Sequence, residues 1–323
     1  MLSFDSPRSP CTASVVIRTY NEERHLRRLL QAIEAQQTDG LELEVVIVDS
    51  GSTDGTLGIA ADHNCRVTTI RKEDFSFGRS LNIGCAFARG DILAFVSGHC
   101  IPSSDRWLVE LAQPLLDGLA HYSYGRQIGA ETTKFSESQL FAKYFPEHSL
   151  IPQDGFFCNN ANSAITRQAW EHHRFDEELT GLEDMDLARR LCQGGGKVAY
   201  VATAPVHHIH DESWAQVRHR YEREAIAMQK IAPNLQVNAV DCVRFFVSGV
   251  LFDFSTALSK RELTRHAPGI VAFRMMQYLG TYRGNRAHRK LSQKMKLRYY
   301  YPTDAHHPEA QLRGRIARRS SAI

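Results

Sequence analysis

Across its amino-terminal half the chain alternates short β-branched runs with runs of helical periodicity, and few folds accommodate that pattern. Residues 13–19 (ASVVIRT) suit a buried parallel strand, and beyond Tyr20-Asn21-Glu22 the residues Leu26, Leu29, Leu30 and Ile33 keep helical spacing. A second strand, residues 43–48, stops at Asp49-Ser50-Gly51-Ser52-Thr53-Asp54-Gly55. Strand 67–71, helix 78–88, strand 92–96 and helix 107–116 follow. This alternation predicts an α/β, doubly wound sheet whose ligands sit beyond the carboxyl ends of the strands.

Three polar clusters fall at such ends: residues 19–22, 49–55, and Ser97-Gly98-His99-Cys100. Each alone is ordinary turn and capping chemistry; together they mark one edge as a candidate nucleotide site. Neither GxGxxG nor GxxxxGK[ST] occurs, which weakens the dinucleotide oxidoreductase and P-loop readings.

A fourth stretch, TGLEDMDLARRL at residues 180–191, reads as a helix start. Thr180 and Glu183 have capping-box spacing, and Leu187, Ala188 and Leu191 share a face. The first turn then carries Glu183, Asp184 and Asp186. Acids are favoured there by the helix dipole alone, at about 0.3–1 kcal/mol each, so the stretch becomes chemistry only in company with the strand ends.

Length and charge bound the rest. With 323 residues, 43% hydrophobic and 23% charged, the chain can bury a full core in one large domain or two. Seven scattered cysteines, an odd number without a CxxC pair, read as reduced packing residues in a cytosolic protein, and the first residues lack a secretory leader. No apolar run reaches the roughly 20 residues that cross a bilayer; residues 245–252 come nearest. From Lys260 onward there are 15 Lys and Arg against 3 acids, a balance of +12, so the total of +3 leaves residues 1–259 at −9. An acidic body carries a basic tail.

Four segments in order, SVVIRTYNE, VVIVDSGSTDGT, FSFGRSLNIGCAFARGDILAFVSGHCIPSSDRWL and GLEDMDLARRL, resemble the glycosyltransferase family 2 catalytic domain of GT-A fold. The nearest likeness is to bacterial rhamnosyltransferase-like enzymes of surface polysaccharide synthesis. The resemblance spans about residues 14–224. It implies a mixed sheet with a helical carboxyl-terminal extension, and transfer of a sugar from a nucleotide-diphosphate donor to an acceptor hydroxyl with inversion. By that likeness Thr19, Asn21, Glu22 and Asp49 hold the nucleoside, Ser97, Arg79 and Asn82 complete the donor site, and Asp184 is the base. Glu183 and Asp186 compete with it, but Asp184 and Asp186 lie about 200° apart on a helix and cannot both face one acceptor.

One position departs from the family. Where an acidic pair usually follows the fourth strand, this chain has Ser97-Gly98-His99. Carboxylates suit Mg²⁺ and Mn²⁺ better than imidazole does, so the ion differs, the site is weaker, or no metal is used. Residues 197–202 read as a further strand running into Pro205-Val206-His207-His208-Ile209-His210-Asp211. There His208 and His210 share a face opposite His207. His99 and His208 could then share an ion, with His210 behind them or facing the acceptor; without an ion, Arg79, Arg218 or Arg220 would support the leaving diphosphate.

The remaining expectations concern partners. YGRQ (124–127) resembles the subgroup, residues 131–155 read as a loop or short helices over the site, and Asn159, Asn160 and Asn162 offer amides to sugar hydroxyls. Helices are expected at 213–231, 243–258 and 270–279, the last leading into Arg283, Arg286, Arg289, Lys290, Lys294, Lys296 and Arg298. Apolar faces beside a basic run suit an anionic membrane surface and a glycan or lipid-linked acceptor, which would make the protein cytoplasmic and peripheral at the inner face of the plasma membrane. No nucleic-acid module is recognisable. The expected division is a tail (1–12), a catalytic domain (13–232) and a basic helical extension (233–323). Two alternatives stay open: a non-catalytic nucleotide-sugar-binding relative, and a metal-dependent hydrolase built on His208, His210 and Asp211.

Overall fold

The computed structural model describes residues 11–287, 296 and 299–301. Residues 1–10 of the expected amino-terminal tail and the basic residues Arg289, Lys290, Lys294 and Arg298 lie outside the described residues. One eight-stranded mixed sheet runs through the molecule in the order β3-β2-β1-β4-β7-β6-β8-β5. The strands are β1 (Thr12–Thr19), β2 (Glu42–Asp49), β3 (Arg66–Thr69), β4 (Ile92–Val96), β5 (Cys100–Pro102), β6 (Tyr122–Gly129), β7 (Asn162–Thr166) and β8 (Val198–His208). Strands β1, β2, β3 and β4 are mutually parallel, β7 runs antiparallel between β4 and β6, β6 pairs parallel with β8, and β5 pairs antiparallel with β8.

Ten α-helices accompany them among the described residues: α1 (Glu23–Glu34), α2 (Thr56–Asp62), α3 (Phe77–Phe87), α4 (Trp107–Leu116), α5 (Phe135–Tyr144), α6 (Arg167–His173), α7 (Glu183–Gln193), α8 (Trp214–Ile231), α9 (Ala239–Ser259) and α10 (Leu263–Asn285). Both faces of the sheet are covered, which is why β4 is apolar on every residue and β1 is apolar from Val15 to Ile17: Val15, Ile17 and Ala94 face one core with Leu26 and Trp107, while Val16, Leu93 and Phe95 face the other with Leu81 and Trp170. The polar residues are pushed to the strand ends.

Three local features depart from the sequence reading. First, Thr180 and Glu183 form no capping box. Leu182 adopts a left-handed conformation (φ 56°, ψ 27°) before α7, the Thr180 hydroxyl donates to the Arg223 carbonyl, and the Glu183 carboxylate is drawn to Arg18. Second, β8 runs on to His208, because the bulge between Gly125 and Gln127 keeps β6 in register with it. Third, the short apolar run at 245–252 belongs to a 21-residue helix, α9. By length and composition this helix suffices to cross a membrane (mean hydropathy 1.3), and 11% of its apolar window is buried.

What α9 does bury is one charge. Asp253 accepts two hydrogen bonds of 2.8 Å from Arg274 of α10, locking these two helices together. In turn α10 lies close against α8, because Gly280 and Gly284 sit against the backbone carbonyls of Arg218 and Glu222, where any side chain would collide. The extension is thereby fixed to the body.

Candidate active site

A cleft of about 780 Å³ opens at the carboxyl ends of β1 and β4 and is closed on its far side by α5, α7 and α8. Thr19, Asn21, Glu22, Ser97, His99, Glu183, Asp184 and His208 all line it. The sequence brought these residues from four separated segments; the sheet gathers them because parallel strands end on one edge.

The donor-side loops are held by one carboxylate. Asp49 is buried, and its two oxygens accept from the Thr19 hydroxyl (2.9 Å), the Ser52 hydroxyl (2.5 Å) and the backbone N–H of Gly51 and Ser52 (2.9 Å each). Asn21, itself left-handed at φ 55°, accepts from the Thr53 N–H and so ties the end of β1 to the same loop. Asp49 therefore stands just behind the cleft lining, shaping the loop. Arg79 and Asn82 stand farther away and depart from the expected donor set. Arg79 is paired with Glu177 at 2.8 Å, and Asn82 donates to the Phe175 carbonyl and Glu177 while accepting from Trp170 Nε1 and the Phe175 N–H. Both fasten α3 to the segment after α6; neither lines the cleft, because their side of α3 faces the 175–177 segment.

On α7 the three acids part company. Asp186 turns away and is held by Arg189 and Arg190, each at 2.8 Å. Glu183 is buried beside Arg18 at 3.3 Å, and Arg18 in turn lies over the Phe77 ring. Asp184 is buried in the cleft wall, where Oδ2 accepts from the Asn160 N–H and Oδ1 from the Met185 N–H, both at 2.8 Å. Burial first, and then the neighbouring Glu183, push its carboxyl up to about 7, against the pull of those two N–H groups. An acid so placed is poised to take a proton near neutral pH.

Opposite stands a cluster of three histidines, His99, His208 and His210. The β5–β8 ladder builds it: Cys100 pairs with His208, and the Ile209 N–H donates to the His99 carbonyl at 3.1 Å, so the His99 ring stacks on His208 at 5.2 Å between centroids, with His210 edge-on to His208 at 4.0 Å. His207 points the other way, exposed, as alternation predicts. Burial, reinforced by His210 and His99, holds the His208 imidazole well below its ordinary range. For His99 burial works against the charged ring, yet Glu22 at 3.2 Å outweighs it and raises the imidazole.

Sequence reasoning passed over the residues behind this cluster. Gln127 Oε1 lies 2.7 Å from His208 Nδ1 and Glu137 Oε1 lies 2.7 Å from His210 Nδ1. Glu137 also binds Arg220, which in turn holds Glu212. Burial would raise Glu137, but His210 and Arg220 prevail and bring its carboxyl down to about 2. Arg220 does line the cleft, although its Nε and Nη2 are taken by Glu137 and Glu212, and Arg218 does not reach it. The cation with capacity to spare is Arg223. It lies over Phe77 in the cleft wall, and its Nε has no hydrogen-bond partner among the described residues. Its one sequence signal was the i, i+3 spacing from Arg220. The asparagines serve the scaffold first: Asn162 bonds Trp107, Arg126 and Ala204, while Asn159 and Asn160 reach the cleft.

The family model of glycosyl transferase family 2 matches residues 14–174, about half of the chain and the part that carries β1 to β7. Residues 14–174 belong to glycosyl transferase family 2. By family the chain is a glycosyltransferase. Among curated relatives it is 28% identical over 221 residues to the O-antigen chain rhamnosyltransferase RfbN of Salmonella typhimurium, covering 64% of this chain and 69% of that one. It is 27% identical over 189 residues to the O-antigen chain rhamnosyltransferase WbaN of Salmonella anatum, covering 55% of this chain and 60% of that one. Among solved structures, the mannosyltransferase PcManGT of Pyrobaculum calidifontis, in complex with GDP-Man and Mn²⁺, superposes with a TM-score of 0.57 at 16% identity over 85% of each chain, a likeness of fold. The GT-A-type sheet expected from the motifs is the sheet observed.

Proposed function

We propose that this chain transfers a sugar from a nucleotide-diphosphate donor to an acceptor hydroxyl in bacterial polysaccharide synthesis, with inversion at the anomeric carbon and Asp184 as the base. The observation that carries the reading is the Asp184 carboxylate, fixed by two backbone N–H groups, pushed up to about 7, and facing the same cleft as the ends of β1 and β4. An acceptor hydroxyl attacks from the Asp184 side as the base takes its proton, which inverts the attacked carbon. The donor's nucleoside lies along Thr19, Tyr20 and Asn21, and Arg223 faces the departing diphosphate. Glu183 keeps Arg18 company and tunes Asp184.

A divalent ion belongs to this reading, and PcManGT holds Mn²⁺. His99 and His208, with His210, are the residues that would hold it; the ion would supply Lewis-acid stabilisation of the leaving diphosphate.

The acceptor is a glycan or a lipid-linked glycan, and the helical extension from residue 233 serves to reach it. On α9 the exposed residues Val240, Val243, Val247, Leu251 and Leu258 recur at three, four, four and seven positions, one stripe of the helix. Exposed Arg244, Lys260 and Arg261 accompany that stripe. Such a helix lies in an anionic bilayer surface with its apolar side down, which makes the protein peripheral at the cytoplasmic face.

The test is a thermal-shift screen of nucleotide sugars with and without Mn²⁺, followed by transfer assays with the donor that binds. A donor at a hundred times its Kd stabilises the fold by about 2.7 kcal/mol. If no nucleotide sugar raises the melting temperature, the reading fails; release of free sugar without any acceptor product would favour the hydrolase instead.

A further inference from the structure

The three histidines share a property beyond their proximity. Each has its Nδ1 beside an oxygen acceptor: Glu22 Oε1 at 3.2 Å for His99, Gln127 Oε1 at 2.7 Å for His208, and Glu137 Oε1 at 2.7 Å for His210. An ionised carboxylate only accepts, so Nδ1 of His99 and His210 must carry the hydrogen. For His208 the same follows from Gln127, whose Nε2 donates to Asn159 Oδ1 at 2.9 Å and so leaves its carbonyl turned to the ring. In the neutral form of each ring the lone pair is then on Nε2. This is the arrangement in which metal-ligating histidines are held, each oriented and made more basic by an oxygen behind it.

We infer that His99, His208 and His210 form a three-imidazole cradle that loads one nitrogen-preferring divalent ion, of the Zn²⁺, Co²⁺ or Ni²⁺ type, before any nucleotide sugar arrives. The inference rests on the transferase reading only for its purpose, since the fourth position would face the donor diphosphate. One ring nitrogen of each histidine lies within 4.8 Å of one on each of the other two. Two ligands on a tetrahedral ion about 2.1 Å away stand roughly 3.4 Å apart, so modest side-chain rotation closes the site. His208 ends β8 and His99 stands in the turn just before β5, and these two strands are already paired through Cys100, so little of that closure falls on the backbone.

An oxygen-preferring ion fits poorly. Mg²⁺ and Mn²⁺ favour carboxylate, carbonyl and water, whereas imidazole suits Zn²⁺, Cu²⁺ and Ni²⁺. The nearby carboxylates are already engaged: Glu137 and Glu212 both bind Arg220, so the alternative group of Glu137, His210 and Glu212 has a guanidinium where an ion would sit. Three protein ligands also suffice to hold an ion without help from a nucleotide.

The experiment is a Co²⁺ titration of the full chain, stripped with chelator, in the absence of nucleotide, read by visible d–d absorption. Since any such site prefers later transition metals, the order of affinities decides nothing; the spectrum, stoichiometry and nucleotide independence do. The expected result is one Co²⁺ per chain with an intense four- or five-coordinate band, and X-ray absorption of the Zn²⁺-loaded protein showing three imidazoles. His210→Ala loses the band, His207→Ala keeps it, and Gln127→Ala weakens affinity about 10- to 100-fold by freeing one ring. Because the wild-type spectrum needs no variant, a His210→Ala protein that fails to fold does not hide the answer. A band that appears only after nucleotide is added, one that survives His210→Ala in folded protein, or full sugar transfer by chelator-stripped protein would each overturn the inference, the last while leaving the transferase reading intact. Loading of one Co²⁺ with no sugar transferred from any donor supports the cradle and sinks the transferase reading.

Discussion

Replacing Asp184 by Asn tests the engine of the proposed reaction and its pH dependence together. General-base help is worth about 10²- to 10⁴-fold, which at 1.36 kcal/mol per tenfold is roughly 3–5 kcal/mol of barrier. D184N should therefore lower kcat by that factor while leaving the donor-induced melting shift close to the wild type's, because the donor contacts proposed above lie across the cleft at the end of β1. In the wild type the carboxyl is pushed up to about 7, so kcat should climb about tenfold per pH unit below that point and level off above it. Glu183 is the second cause of the shift, and Glu183→Gln should move the rising limb to lower pH.

Stability follows the opposite sign. An acid whose folded value lies above its unfolded one favours the native state fully at low pH, and that contribution is lost as pH rises from about 4 through about 7. Asn removes this pH-dependent part and forfeits one of the two N–H bonds to the side chain, at about 1–3 kcal/mol. The assay is kcat and melting temperature across pH 5.5–8.5 for wild type, D184N and E183Q. A D184N enzyme within tenfold of wild type, or a wild-type profile flat across that range, refutes the assignment of Asp184 as base.

Two further outcomes check other parts of the reasoning. Asn82→Ala should lower the melting temperature, since it strips the bonds that hold α3 to Phe175, Glu177 and Trp170, while leaving KM for the donor unchanged; a raised KM at unchanged stability would restore Asn82 to the donor site. Val247→Asp with Leu251→Asp on the outer stripe of α9 should cut binding to anionic vesicles at least about tenfold at unchanged stability, because each buried aliphatic side chain contributes about 1.5–3 kcal/mol; undiminished vesicle binding would place the membrane contact elsewhere.

Much of this protein was legible in its residues. Alternating strand and helix runs set the class of fold, and polar clusters after β-branched runs marked the edge that became the cleft, because period-2 and period-3.6 patterns are local consequences of backbone geometry. Helical angle alone showed that Asp184 and Asp186 could not face one acceptor, and Asp186 does turn to Arg189 and Arg190; the preference for Asp184 came from the family likeness. What failed was inference about partners distant in sequence. A Thr and a Glu at capping-box spacing could not reveal that Arg18, 165 residues before Glu183, would claim the carboxylate. Arg79 and Asn82 sat in a motif of the donor site, but which side of α3 faces the cleft depends on the 175–177 segment that packs on it.

The sequence by itself determined the elements, their order and the set of groups able to carry charge or bind an ion, for these depend on side-chain chemistry and on neighbours a few positions away. Tertiary structure alone decided which of those groups meet: β5 pairing against β8 brings His99 beside His208 and His210, and α5 folding over the cleft brings Glu137 to His210 and Arg220. The physical reason is that hydrogen-bond orientation and burial belong to pairs of distant segments. A histidine has no tautomer, and an aspartate no raised affinity for its proton, until those segments close around it.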